Sequence, residues 1–123
     1  MMTGAVNSAL DATLSITVHG TAGQSVQVDA VIDTGYSGFL TLPRSTIAAL
    51  GLAWLCRQQS QMADGSIRIL DVFMATVIWD GQPCLVEVED LGLHSLIGMN
   101  LMHGFDLRIQ VKVGGSVSLA ALP

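Results

Sequence analysis

One aspartate in the chain stands where acid–base chemistry is easiest to arrange. In Val31-Ile32-Asp33-Thr34-Gly35-Tyr36-Ser37-Gly38 a carboxylate ends a fully apolar run and meets a turn. The run places Asp33 at the edge of a dry environment, and Thr34 and Gly35 bend the backbone so that amide groups face the carboxylate. A carboxylate oriented and hydrogen-bonded in this way suits general acid or base work. The bland alternative is a strand-end Asp that bonds only its own turn. Gly35 is expected to supply backbone freedom in that turn and to let another backbone approach. No other group competes for the chemistry. His19, His94 and His103 are never paired at metal-ligand spacing, and Cys56 and Cys84 stand far apart and read as two buried thiols. Neither a metal nor an organic cofactor is expected.

The elements that must hold Asp33 are short β-branched runs separated by turn signals. Leu14–His19 and Ser25–Val28 alternate apolar and polar residues around Gly20-Thr21-Ala22-Gly23, and Ala30-Val31-Ile32 extends the second run up to Asp33. Phe39–Leu42 is a brief strand halted by Pro43. Pro43 then opens a short helix with Ile47 and Leu50 on one face and Gly51 just past its end. Trp54–Gln61 and Ser66–Leu70 read as two arms around Asp64-Gly65. Val72–Trp79 and Leu85–Val88 flank Asp80-Gly81-Gln82-Pro83, and Leu107–Val113 and Val117–Leu119 flank Gly114-Gly115. Leu96-Ile97-Gly98 leads into a second helical patch, Met99–Gly104. Trp54, Trp79 and the six methionines are expected in the core. Eight or nine strands and one or two short helices make an all-β, mostly antiparallel, barrel-like domain spanning residues 1–123.

Composition narrows the partners. The chain has 123 residues, 5 Lys+Arg and 10 Asp+Glu, and a net charge of −5. That acidic balance, without a basic block, lacks the footprint that nucleic acids select. No apolar stretch approaches the roughly 18–20 residues of a membrane-spanning helix, and no export signal is visible, so a cytoplasmic location is expected. Half of the residues are hydrophobic but only 12% are charged, about half the usual share. Apolar surface hidden by a second copy is the simplest answer to so little charge.

The residues around Asp33 carry a resemblance. Val31-Ile32-Asp33-Thr34-Gly35 with Phe39–Leu42, followed about 60 residues later by Leu96-Ile97-Gly98-Met99-Asn100-Leu101-Met102, is similar to the two signatures of the retropepsin-like aspartic proteases, in their order. The likeness runs from about Leu14 to Val113 and is nearest to compact prokaryotic members. It implies a closed or partly open β-barrel, a homodimer, and hydrolysis of a peptide or protein substrate by two aspartates that share a proton. Only one D-T-G exists in the chain, so a second copy must supply the other Asp33 about a twofold axis. By the same resemblance Thr34 would bond across that axis, and Gln61–Ile67 would form a flap with Ala63, Asp64 and Gly65 at its tip against substrate. Gly98 and Asn100 would support the site from behind. Many viral members carry an ion pair at the positions of Ser37 and Met99; both partners are missing together, so no buried charge is stranded. The terminal segments Thr3–Leu10 and Val117–Leu122, apolar and short of charge, are expected at the interface. Two rival readings remain open: a dimer of the same fold that binds peptides without cutting them, and an unrelated monomeric barrel with an internal ligand pocket.

Overall fold

The computed structural model describes residues 1–123. Ten strands and one helix follow in the order β1 (Met2–Val6), β2 (Ala12–His19), β3 (Ser25–Ile32), β4 (Leu40–Thr41), α1 (Arg44–Leu50), β5 (Ala53–Gln61), β6 (Ile67–Trp79), β7 (Gln82–Glu89), β8 (Leu96–Ile97), β9 (Phe105–Ile109) and β10 (Ser116–Ala121). They form one sheet in the order β5-β6-β7-β4-β8-β3-β2-β1-β10-β9, and an extra β2–β6 pairing at Val18↔Val77 and His19↔Thr76 closes six of the strands into a barrel. No helix is long and apolar enough to cross a membrane.

Alternation explains the barrel's interior. Ala12, Leu14, Ile16 and Val18 on β2, Val28, Ala30 and Ile32 on β3, and Val86 and Val88 on β7 all point inward. They join a cluster of 23 buried residues that fills the space, which takes away the ground for a ligand-holding barrel. The helix follows its local code. Pro43 occupies the N-cap position, Ile47 and Leu50 are buried, and Gly51 closes the last turn in a left-handed conformation at φ 59°. Asp80 and Gly81, both at positive φ, make the two-residue turn between β6 and β7.

Several expectations change. The arm expected at Ser66–Leu70 starts at Ile67 and runs on through Val72–Trp79 as one strand of 13 residues, β6. Its first half pairs only with β5, so residues 57–61 and 67–71 form a two-stranded ribbon that extends beyond the barrel. Met99–Gly104 is a set of turns, not a helix, with a single helical-type bond from Met102 N–H to the Gly98 carbonyl at 3.3 Å. Six residues that end at a glycine allow too few i→i−4 bonds to offset the cost of starting a helix, although Leu101 and Met102 still reach the core. Trp54 is 58% exposed because its indole N–H reaches out to Asp71 (3.1 Å), and of the methionines only Met102 is buried. The terminal segments are tied into the sheet. β1 runs between β2 and β10, with Met2 opposite Leu119 and Ala5 opposite Ser116, while Val117 and Leu119 are fully buried. Ala5 and Val6 pair with β2 and residues 2–5 with β10, while residues 7–10 and Leu122 stay exposed.

Candidate active site

Asp33 leaves the end of β3 at the rim of the barrel. Its position is set by β8, a two-residue strand inserted between β3 and β4. Val31 and Ile32 pair in parallel with Leu96 and Ile97, and Leu40 and Thr41 pair antiparallel with the same two residues. The Asp33 N–H donates to the Ile97 carbonyl at 2.9 Å, which extends the ladder one residue past the strand. Thr41, fully buried, locks the far side: its hydroxyl donates to the His94 carbonyl (2.8 Å) and accepts from the Leu96 N–H (2.9 Å). A hydroxyl buried so deeply is tolerated because both of its bonds are made.

The turn itself does what its sequence suggests. The Gly35 N–H donates to Asp33 Oδ1 at 2.9 Å and the Tyr36 N–H donates to the Asp33 carbonyl at 3.2 Å. The carboxylate is thereby oriented, partly exposed, and followed by an exposed Thr34 and Gly35. Gly35 plays a different part from the one expected of it. Its φ is not in the left-handed region, so no special backbone freedom is in use. A Cβ there would instead lie 3.3 Å from Asp33 Oδ1, so the missing side chain leaves the carboxylate its bond and its access.

Three more backbone bonds stitch the D-T-G loop to the second motif. Gly98 N–H donates to the Phe39 carbonyl (3.0 Å), Met99 N–H to that of Tyr36 (2.8 Å), and Asn100 N–H to that of Gly38 (3.1 Å). Gly98 is needed because a Cβ would run into the Gly38 carbonyl oxygen. Gly98 and Asn100 thus support the site as expected, from a turn rather than from a helix.

Tyr36 and Glu89 were missed by motif reading. The Tyr36 hydroxyl donates to Glu89 Oε1 at 2.5 Å, although the residues are 53 apart in sequence. Burial, then the bond to Glu89, then the charges of Glu89 and Glu87 push the tyrosine's pKa far above its ordinary value, so it stays a donor. The only sequence signal was a pair of acids in Leu85-Val86-Glu87-Val88-Glu89, where alternation alone would put both in solvent.

Ala63, Asp64 and Gly65 form the tip of the β5–β6 hairpin, in the turn closed by Met62 N–H to the Ser66 carbonyl at 2.8 Å. Gly65 sits at φ 85° with open space around it. Asp64 Oδ1 accepts from the Ser66 hydroxyl (2.6 Å) and N–H (2.9 Å), and these bonds hold its pKa below the ordinary value. At the ribbon's base, bonds from Trp54 and Arg57 (3.2 Å) do the same for Asp71. Both carboxylates therefore steady the hairpin above the usual carboxylate pKa of about 3.9 and lose that effect as the pH falls through their lowered folded values. Amide protection of residues 57–71, corrected for intrinsic exchange, is expected to be flat from about pH 6 to 5 and to drop below about pH 4, ahead of the barrel strands. Unchanged protection down to about pH 3 would contradict this account.

Comparison with known proteins fits this geometry. No protein-family model and no curated protein matches the chain. Among solved structures, the crystal structure of a retropepsin-like aspartic protease from Rickettsia conorii matches with a TM-score of 0.54 and 16% identity, over 99% of this chain and 92% of that one. The barrel closed by β2 and β6, with β8 threaded between β3 and β4 behind a D-T-G turn, is therefore a retropepsin-like fold.

Proposed function

We propose that the chain is an aspartic endopeptidase that works as a homodimer, with Asp33 of each copy forming the catalytic pair. The observation that carries this reading is the Asp33-Thr34-Gly35 turn: a partly exposed carboxylate, oriented by the Gly35 N–H, at the barrel rim of a retropepsin-like fold. Two such carboxylates at roughly 3 Å cannot both ionise and share one proton. The ionised one takes a proton from water as its oxygen attacks the peptide carbonyl carbon, and the protonated one gives its proton to the carbonyl oxygen. Collapse of the resulting diol breaks the C–N bond, with a proton delivered to the leaving nitrogen. No cofactor takes part. The hairpin tip at Ala63–Gly65 closes over the bound peptide, and the exposed Thr34 hydroxyl bonds its counterpart across the axis.

The face beside Thr34 supports the pairing. Met99, half-exposed, lies with Met102, Phe105 and Leu107 around an open cavity of about 450 Å³. In this reading the second copy seats against this face, which brings Thr34 to the axis.

The test is hydrolysis of a peptide library by the purified chain across pH. Cleavage is expected to peak between about pH 4 and 6, where the pair holds one proton, and to stop with a pepstatin-type inhibitor. A rate that climbs steadily past neutrality would overturn the shared-proton mechanism.

A further inference from the structure

A cavity of about 300 Å³ lies between the loop after the D-T-G turn and the hairpin strand, floored by β7. Tyr36 to Phe39 form one wall and Gln58 to Ser60 of β5 form the other, so it adjoins the region where substrate would lie. Glu87 and Glu89, two residues apart on β7, present their carboxylates on the face opposite to the inward Val86 and Val88. No Lys, Arg or His lines the space.

No ion pair reaches that charge: Arg68 of β6 stands opposite Ser60 but lines a separate cavity with Arg44 and Asp90, and Lys112 lies beyond β9. Arg44, Arg57 and Arg108 are each paired with an aspartate elsewhere, and Arg57, the neighbour of Gln58, is turned to Asp71. Glu87 is only partly exposed and belongs to no ion pair. Glu89 is 7% exposed, and Tyr36 occupies only its Oε1. The other oxygen bonds nothing, yet no buried side-chain oxygen is sealed off without a partner, so it opens onto the cavity. A carboxylate this buried with no cation beside it is costly unless a ligand supplies one.

We propose that this cavity is a substrate subsite for a basic side chain, lysine or arginine, with Glu87 as the specificity-determining residue and the Tyr36-anchored Glu89 carboxylate beneath it. The cationic head of such a side chain meets both carboxylates, and the amides and hydroxyls of the largely polar walls complete its hydrogen bonds. Tyr36 keeps Glu89 fixed and aimed, since its hydroxyl remains protonated. This inference rests on the peptide-processing reading of the fold but is separable from it, because it concerns binding.

The experiment measures affinity of the full chain at about pH 6 for short peptides that carry lysine or its uncharged isostere norleucine at each position in turn. At one position lysine is expected to bind about tenfold more tightly, a margin that shrinks with added salt. Glu87→Gln should cut that ratio to threefold or less, and Glu87→Lys should shift the preference to a glutamate peptide; circular dichroism confirms that both variants fold. Equal lysine and norleucine affinities at every position, a ratio untouched by either variant, or no peptide binding at all would each overturn the proposal. Cleavage is read separately: selective binding without hydrolysis would keep the basic subsite and end the protease reading.

Discussion

Asp33→Asn is expected to abolish peptide hydrolysis while leaving the barrel folded. Asn keeps the side-chain oxygen that accepts the Gly35 N–H, now at 2.9 Å, so the turn loses little. It cannot take a proton from water, and acid–base contributions of this kind are worth about 10²–10⁴ in rate on each side of the reaction. A loss of at least about 10³ in kcat is the expected result, with the melting temperature nearly unchanged. The sharper form of the test mixes the two chains. If each working site needs two Asp33 residues, activity after subunit exchange falls as the square of the wild-type fraction, to about a quarter at equal mixing. A linear fall to about half would show that one chain suffices, and the shared site would be wrong. Wild type and variant that are equally inert yet bind peptide would favour the non-cutting module.

What the sequence made legible was local. The D-T-G turn, the Pro43–Gly51 helix and the Asp80-Gly81 hairpin are all encoded by residues within a few positions of one another, through apolar runs, caps and turn chemistry. The long-range insertions were not. β8 has only two residues, too few for any periodicity, and it is a strand because the loop ends of β3 and β4 supply its ladder from both sides. The pairing of β1 with β10 joins opposite ends of the chain through sequences with no complementary mark, so nothing local announced that the two apolar termini lie side by side. Trp54 was misplaced for a similar reason. Its size argues for burial, but a distant aspartate gives its N–H a partner on the outside. The Tyr36–Glu89 bond combines both difficulties, since a buried acid in an alternating strand is indistinguishable from an exposed one until its partner is known.

Gly98→Ala is expected to be strongly destabilising for a change of a single methyl group. The reason is space, not conformation, because the φ of Gly98 is ordinary. A Cβ at this position overlaps the Gly38 carbonyl oxygen and comes within 2.7 Å of Tyr36 Cδ2 and 2.8 Å of the Gly38 carbonyl carbon. Two of those neighbours are backbone, held in place by the bonds from Gly98, Met99 and Asn100 to residues 36–39. The loop cannot retreat without breaking them. Overpacking costs about 1–3 kcal/mol where side chains can adjust, and each lost backbone bond adds about 0.5–1.5 kcal/mol. A total of about 3 kcal/mol or more follows, which at this size lowers the melting temperature by roughly 10–20 °C. Displacing the Tyr36 ring also pulls its hydroxyl from Glu89, leaving a buried carboxylate without its donor. Lysine selectivity should therefore fall along with stability. Gly65→Ala is the matched comparison: its φ of 85° strains any side chain, but nothing lies within reach of the new methyl. That variant should lose only about 1–2 kcal/mol and keep the cavity intact. Melting temperatures that rank the two variants the other way, or a Gly98→Ala chain within about 2 °C of wild type, would mean that β8 and the D-T-G loop are not packed backbone to backbone at this point.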